Sequence, residues 1–205
     1  SPFGMNDKMA GADDIVEAIE DAANDTSVRA IVLRINSPGG SPTASETIHR
    51  TIEWAKNVKK KPIIVSMGSV AASGGYWVAT PADRIYAMNS TLTGSIGVVG
   101  GKLNLQGLWD KVHVRWESVH YGDNSGMLSF NQPFSPSEQK QFEASLDNIY
   151  DYFIKRVSEG RHLTPDQVEK IAKGRAYTGR QALALGLVDE IGGMDKVLDD
   201  LAVAN

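Results

Sequence analysis

Apolar residues recur at helical spacing in ADDIVEAIEDAAND, where Ile15, Ile19 and Ala22 share one stripe, and then close up into the β-branched run VRAIVLRI at residues 28–35. This pattern predicts a helix followed by a buried strand. After NSPGGS, Thr43 and Glu46 make a capping box for a second helix that turns Ala44, Ile48, Ile52 and Ala55 inward and ends near Lys61 and Pro62. PIIVSM reads as a second buried strand. Two apolar strands joined by a helix of about five turns predict a right-handed βαβ unit in a parallel sheet.

Further along, DRIYA at 83–87, GSIGVVG at 94–100 and VRWESVHY at 114–121 are expected to add layers to the same sheet, with a short helix near Leu105 to Val112. Residues 122–135 have no periodicity and many turn formers, which predicts a long loop. Ser135, Pro136 and Glu138 open the longest helix, about 136–159, with Phe142, Leu146, Ile149, Phe153 and Val157 on its core stripe. Thr164 with Pro165 and Gln167, and Thr178 with Gln181, open two more helices. The expected architecture is a single α/β domain over 1–205, with a core of about 1–135 and a helical extension of about 136–205.

Composition narrows the class. The 205 residues are 41% hydrophobic and 22% charged, as in a globular protein with a real core. A net charge of −4 and one basic run, Lys59 to Lys61 at a helix end, argue against nucleic acid as a partner. There is no cysteine, hence no thiol nucleophile and no disulfide framework. No stretch of 18 apolar residues occurs, and SPFGMNDKMAG lacks the basic and apolar segments of a signal peptide. That opening reads as a glycine-containing turn with no strand before it, as expected of a piece of a longer protein whose anchor lies elsewhere.

The candidate chemistry sits in GSVAASGGYW. Ser73 follows the second strand by six residues, with Ala71 and Ala72 before it and Gly74 and Gly75 after it. A serine on a strand-to-helix turn stands at the sheet edge, and small neighbours let a substrate carbonyl approach. A small-residue helix packed tightly on the sheet accounts for this stretch equally well. NSPGG at 36–40 changes the balance, because it follows the neighbouring strand by a similar turn. Adjacent parallel strands place the two turns side by side, and Gly39 and Gly40 can aim N–H groups outward with no Cβ in the way. With the N–H of Gly74 they make a candidate oxyanion hole.

At these residues the chain resembles the signal peptide peptidase family of the protease IV type, bacterial serine proteases related in fold to the Clp protease and the crotonases. The blocks VRAIVLRINSPGGSPTASE, SMGSVAASGGYWVATPADRIYA, STLTGSIGVVG and GRAYTGRQALALGLVDEIGG follow that family's order over most of 28–193. The resemblance implies a Clp/crotonase-like core of repeated β-β-α and βαβ units. It also implies Ser73 as nucleophile, an oxyanion hole from Gly39, Gly40 and Gly74, and a lysine as general base.

The base is missing from its family position. His49, His113, His120 and His162 are the four histidines, none lies 25 residues after Ser73, where Val98 stands instead, and none has metal-ligand spacing. Where short family members carry the lysine, this chain has GDNSGML with Ser125. It looks like the C-terminal, serine-bearing repeat of the long two-repeat members, whose lysine comes from the N-terminal repeat. Lys102 and Lys111 are the nearest lysines after the serine, and neither matches. Ser95 in TGSIG matches a serine that orients the catalytic amine.

The resemblance therefore implies a serine endopeptidase with a Ser/Lys dyad, acting on signal peptides or other membrane-released peptides, with no metal or cofactor. Extended substrate is expected to add as a strand beside NSPGG. Met67, Val70 and Tyr76 are expected to line pockets for its side chains. Family members are anchored in the bacterial inner membrane, work on its periplasmic side and form rings, so the implied partners are a homo-oligomer, an N-terminal repeat, or both. Three alternatives stand beside this reading: a catalytically silent repeat that builds an oligomer, a phage-type capsid maturation protease, and an acyl-CoA enzyme of the crotonase type.

Overall fold

The two apolar runs become neighbouring parallel strands in a computed structural model that describes residues 10–203. The turn expected at the start of the sequence lies outside them. Helix α1 (Ala12–Asn24) buries Ile19 and Ala23 and leads to β1 (Ile31–Ser37), α2 (Pro42–Asn57) and β2 (Ile63–Ala72). Next come α3 (Gly74–Ala79), β3 (Arg84–Ala87), β4 (Leu92–Gly94), α4 (Gln106–Lys111) and α5 (Pro136–Arg161). The chain ends through α6 (Pro165–Ile171), β5 (Ala176–Thr178), α7 (Gly179–Ala184), β6 (Glu190–Ile191) and α8 (Met194–Val203).

The mostly parallel sheet is organised around β2. Its first half pairs with β3, its second half with β4, and β1 runs along its other side. Strand β6 extends the sheet parallel to β3, and β5 closes the far edge antiparallel to β4. The register between β1 and β2 shifts between Ile35 and Ser37. There the Val70 N–H donates to Asn36 Oδ1 at 3.2 Å, and a Cβ on Gly68 would lie 2.6 Å from that same oxygen. Buried Thr91 and Thr93 donate to the carbonyls of Gly68 and Ala71, each at 2.7 Å. Side chains thus satisfy the backbone groups at the shift, and beyond it β2 stays paired with both β1 and β4.

Local helix signals hold in most places. Ser135 and Glu138 cap α5 reciprocally, with the Ser135 N–H donating to the Glu138 carboxylate at 2.8 Å and the Glu138 N–H donating to Ser135 Oγ at 3.2 Å. Full capping boxes open α6 at Thr164 and α7 at Thr178. Helix α2 differs. Its cap is Ser41, whose Oγ accepts from the Ala44 N–H, and Pro42 fixes the first helical φ, so the helix starts before Thr43. It stops at Asn57, short of Lys61.

Two expected sheet layers also differ. Strand β4 ends at Gly94, where the GSIGVVG run begins, and 114–121 forms no strand among the described residues. Val119 and Tyr121 in that run are fully exposed. β-prone composition makes a strand only where another strand meets it. The described residues fall into two packed units: one is Val98–Tyr152, and the other holds those up to Gly97 and from Phe153 onward.

Within the larger unit, Glu46 on α2 is where three helices meet. It accepts from Trp77 Nε1 on α3 at 3.1 Å, from the Arg156 guanidinium on α5 through two contacts, and from Arg50 Nε at 2.8 Å. Trp77 stacks on Phe153 with ring centroids 4.6 Å apart. Burial pushes the Glu46 carboxyl up, but the Arg156, Arg50 and Trp77 donors outweigh it and hold the group at about 2. Glu46→Ala strands the largely buried Arg156 and the Trp77 N–H, and is expected to cost about 3 kcal/mol in urea unfolding. A cost below about 1 kcal/mol would show that the cluster is solvated rather than structural.

Candidate active site

Ser73 links the end of β2 to the start of α3. Its backbone lies at φ +51°, ψ −123°, in the left-handed half of the map that side chains avoid. Three backbone bonds hold it there: its N–H donates to the Gly94 carbonyl at 2.9 Å, and its carbonyl accepts from the N–H groups of Tyr76 and Trp77, each at 2.9 Å. Such a conformation costs on the order of 1–3 kcal/mol and persists only when the surroundings enforce it. The residue is half-buried, and its hydroxyl makes no hydrogen bond to another described residue.

The NSPGG turn lies directly against it. Gly39 has φ +108°, and a Cβ there would fall 2.8 Å from both the Gly74 nitrogen and the Ser73 Cβ. A Cβ on Gly74 would fall 3.1 Å from the Gly40 nitrogen and 2.6 Å from Ser45 Oγ, and one on Gly75 would fall 2.8 Å from the Ser37 carbonyl oxygen. The glycines therefore permit an approach of two backbones that no larger residue allows. Their amides are not equivalent. The Gly39 N–H donates to Ser37 Oγ at 3.1 Å, whereas the N–H groups of Gly40 and Gly74 have no acceptor among the described residues. From the sequence, Gly39, Gly40 and Gly74 are expected to offer three amides to an oxyanion, but the Gly39 amide is taken by the Ser37 hydroxyl, a contact that no sequence pattern marks.

Ser95 lies one residue beyond Gly94, the acceptor for Ser73, and is itself held at φ +49° by its N–H donating to the Arg175 carbonyl at 2.8 Å. In the 98–152 unit, Lys102 Nζ is buried with no hydrogen-bond partner among the described residues and lies 4.2 Å from the centroid of the Phe134 ring. Lys111 is exposed in the last turn of α4. Ser125 Oγ donates to the Gly122 carbonyl at 2.8 Å and lies 3.3 Å from His120 Nδ1. Met67 and Tyr76 are wholly buried, and the Tyr76 hydroxyl donates to the Leu187 carbonyl at 2.8 Å. Both are core residues and not pocket walls; Val70 alone of the three stays half-buried. Among the described residues no group of three or more His, Asp or Glu is arranged to hold a metal ion, and no helix is long and apolar enough to cross a membrane.

His49 is a packing residue on α2, only 2% exposed. Burial, with help from Arg156, holds its imidazole down at about 4, so its 3.5 Å approach to Glu53 is not an ion pair at neutral pH. A histidine kept neutral in the fold leaves stability untouched above its unfolded value of 6.5 and lowers it as pH falls from there toward 4. The stability lost between pH 7 and pH 5 is expected to be about 2 kcal/mol by urea unfolding. His49→Leu should flatten that segment, and an unchanged pH profile in the variant would assign the effect elsewhere. Glu46 acts lower, losing its contribution as pH falls from 4.5 toward 2.

Comparison with known proteins fits this geometry. The family model for Clp protease matches residues 4–93, across both glycine turns. The chain is 43% identical over 185 residues to Protease 4 of Salmonella typhi, which covers 90% of this chain and 30% of that protein. It is 39% identical over 194 residues to Protease 4 of Haemophilus influenzae, covering 95% and 31%. To the chloroplastic serine protease SPPA of Arabidopsis thaliana it is 36% identical over 188 residues, covering 91% and 28%. The chain thus spans about 30% of the length of these relatives. The model for peptidase family S49 matches residues 55–205, well over half of the sequence, and on that match the chain belongs to peptidase family S49.

Proposed function

We propose that this chain carries the nucleophile of a serine endopeptidase of the signal peptide peptidase type. The observation that bears most weight is the strained Ser73 turn interlocked with Gly39 beside two uncommitted amides. Ser73 Oγ attacks the scissile carbonyl while a neutral lysine takes its proton. The N–H groups of Gly40 and Gly74 hold the oxyanion, and Gly39 supplies the close backbone approach. The lysine then hands the proton to the leaving amine, and water resolves the acyl-enzyme. Ser95, one residue from the carbonyl that anchors Ser73, orients the amine.

Ser125 stands where short family members carry the lysine, so the base comes from another repeat or another subunit of a longer, ring-forming protein. Substrates are signal peptides or other membrane-released segments, added as a strand along β1, which pairs with β2 on one side only among the described residues. An anchor outside residues 1–205 holds the assembly at the bacterial inner membrane with the site facing the periplasm. A second reading, a silent repeat that builds the oligomer, is favoured by the same Ser125. A fluorophosphonate probe separates the two: the intact protein is expected to be labelled and the Ser73→Ala protein not. Labelling that survives Ser73→Ala would overturn the assignment, and no labelling of the wild type would favour the silent repeat.

A further inference from the structure

Ser37 is the last residue of β1, and its hydroxyl touches both polar groups of one glycine. It accepts the Gly39 N–H at 3.1 Å and donates across a long 3.5 Å contact to the Gly39 carbonyl oxygen, weaker than an ordinary O–H···O bond. In a trans peptide the carbonyl of one residue and the N–H of the next point in opposite directions. A Gly39 carbonyl held toward Ser37 therefore turns the Gly40 N–H away from Ser37, and the Gly40 nitrogen itself lies 3.1 Å from where a Cβ on Gly74 would stand. Ser37 is in turn fixed by α3, since a Cβ on Gly75 would fall 2.8 Å from its carbonyl oxygen and 3.3 Å from its Cβ.

We propose that Ser37 is a positioning residue that sets the plane of the Gly39–Gly40 peptide and so aims the Gly40 amide at the oxyanion. The inference rests on the serine peptidase reading. It adds that the donor is preset by a side chain and not by the glycine turn alone. Glycine on both sides of a peptide leaves its plane free to rotate, and a rotated plane would present the Gly39 carbonyl to the developing negative charge. The Ser37 hydroxyl restrains that rotation through its contact with the Gly39 carbonyl. Because an oxyanion forms only in the reaction, losing the hydroxyl should weaken transition-state binding and leave ground-state binding alone.

The test uses the intact protein with a peptide aldehyde, which forms an oxyanion-like adduct on the serine, and the matching peptide alcohol, which forms none. In Ser37→Ala, kcat is expected to fall by about 30-fold with KM within twofold, and aldehyde affinity to fall in parallel while alcohol affinity holds. Ser37→Cys keeps a weak donor and acceptor at the same atom, should fall between wild type and Ser37→Ala, and carries the comparison if Ser37→Ala does not fold. Equal losses for aldehyde and alcohol, or an aldehyde affinity unchanged in both variants, would overturn the positioning role. The peptidase reading is judged separately, on wild type against Ser73→Ala.

Discussion

Ser73→Ala is expected to lower kcat for peptide hydrolysis by at least about 10⁴-fold while leaving the urea unfolding midpoint nearly unchanged. The two halves of that expectation have different sources. In the proposed mechanism the loss in rate follows from removing the atom that forms the acyl bond, for which the proposed oxyanion amides and substrate contacts cannot substitute. The unchanged stability follows from the environment of the hydroxyl, which makes no hydrogen bond to another described residue, so its removal orphans no partner. Kinetics and unfolding on the same preparation read both at once. A variant that retained a tenth of the activity would exclude Ser73 as nucleophile, and one that lost activity together with several kcal/mol of stability would make the serine structural.

Gly39→Ala is expected to come second in size, with a fall of about 10³-fold in kcat and a stability loss of roughly 2–4 kcal/mol. The added methyl would press on the Gly74 nitrogen and the Ser73 Cβ, each 2.8 Å away, and both belong to a turn that cannot yield without moving Ser73, the proposed nucleophile. A φ of +108° adds backbone strain for alanine whatever the space. Gly40→Ala is the comparison, since a Cβ at Gly40 meets nothing within 4 Å, and its loss in kcat is expected to be at least ten times smaller. Similar losses at the two glycines would mean that general crowding of the turn matters, rather than the specific contact with Ser73.

The parts of this site legible in the sequence are those made by short stretches of chain. Ser73 with its small neighbours and the NSPGG turn are each local, and the β-branched runs before them imply the parallel pairing that brings them together. The capping boxes at Ser135, Thr164 and Thr178 are local as well. What escaped depends on distance or on very few residues. Glu46 reads as half of a capping box, but its carboxylate is taken by Arg156, 110 residues away, and Ser41 caps the helix instead. Strands β5 and β6 are three and two residues long, too short for any period to register. The run at 114–121 has a strand's composition without a strand's neighbour. Tyr76 and Met67 follow the serine motif's position but face the core, because periodicity in a strand and a one-turn helix is blind to which layer covers each face.

The claim on which the account turns is that one hydroxyl, Ser73 Oγ, takes the acyl group. Peptide-mapping mass spectrometry of the intact protein after fluorophosphonate treatment measures this most directly, because the probe loses fluoride and stays bonded to the oxygen that attacked it. The predicted result is a single phosphonylated fragment whose modified residue is Ser73. An adduct on Ser95, Ser125 or any other hydroxyl, with Ser73 unmodified, would contradict it.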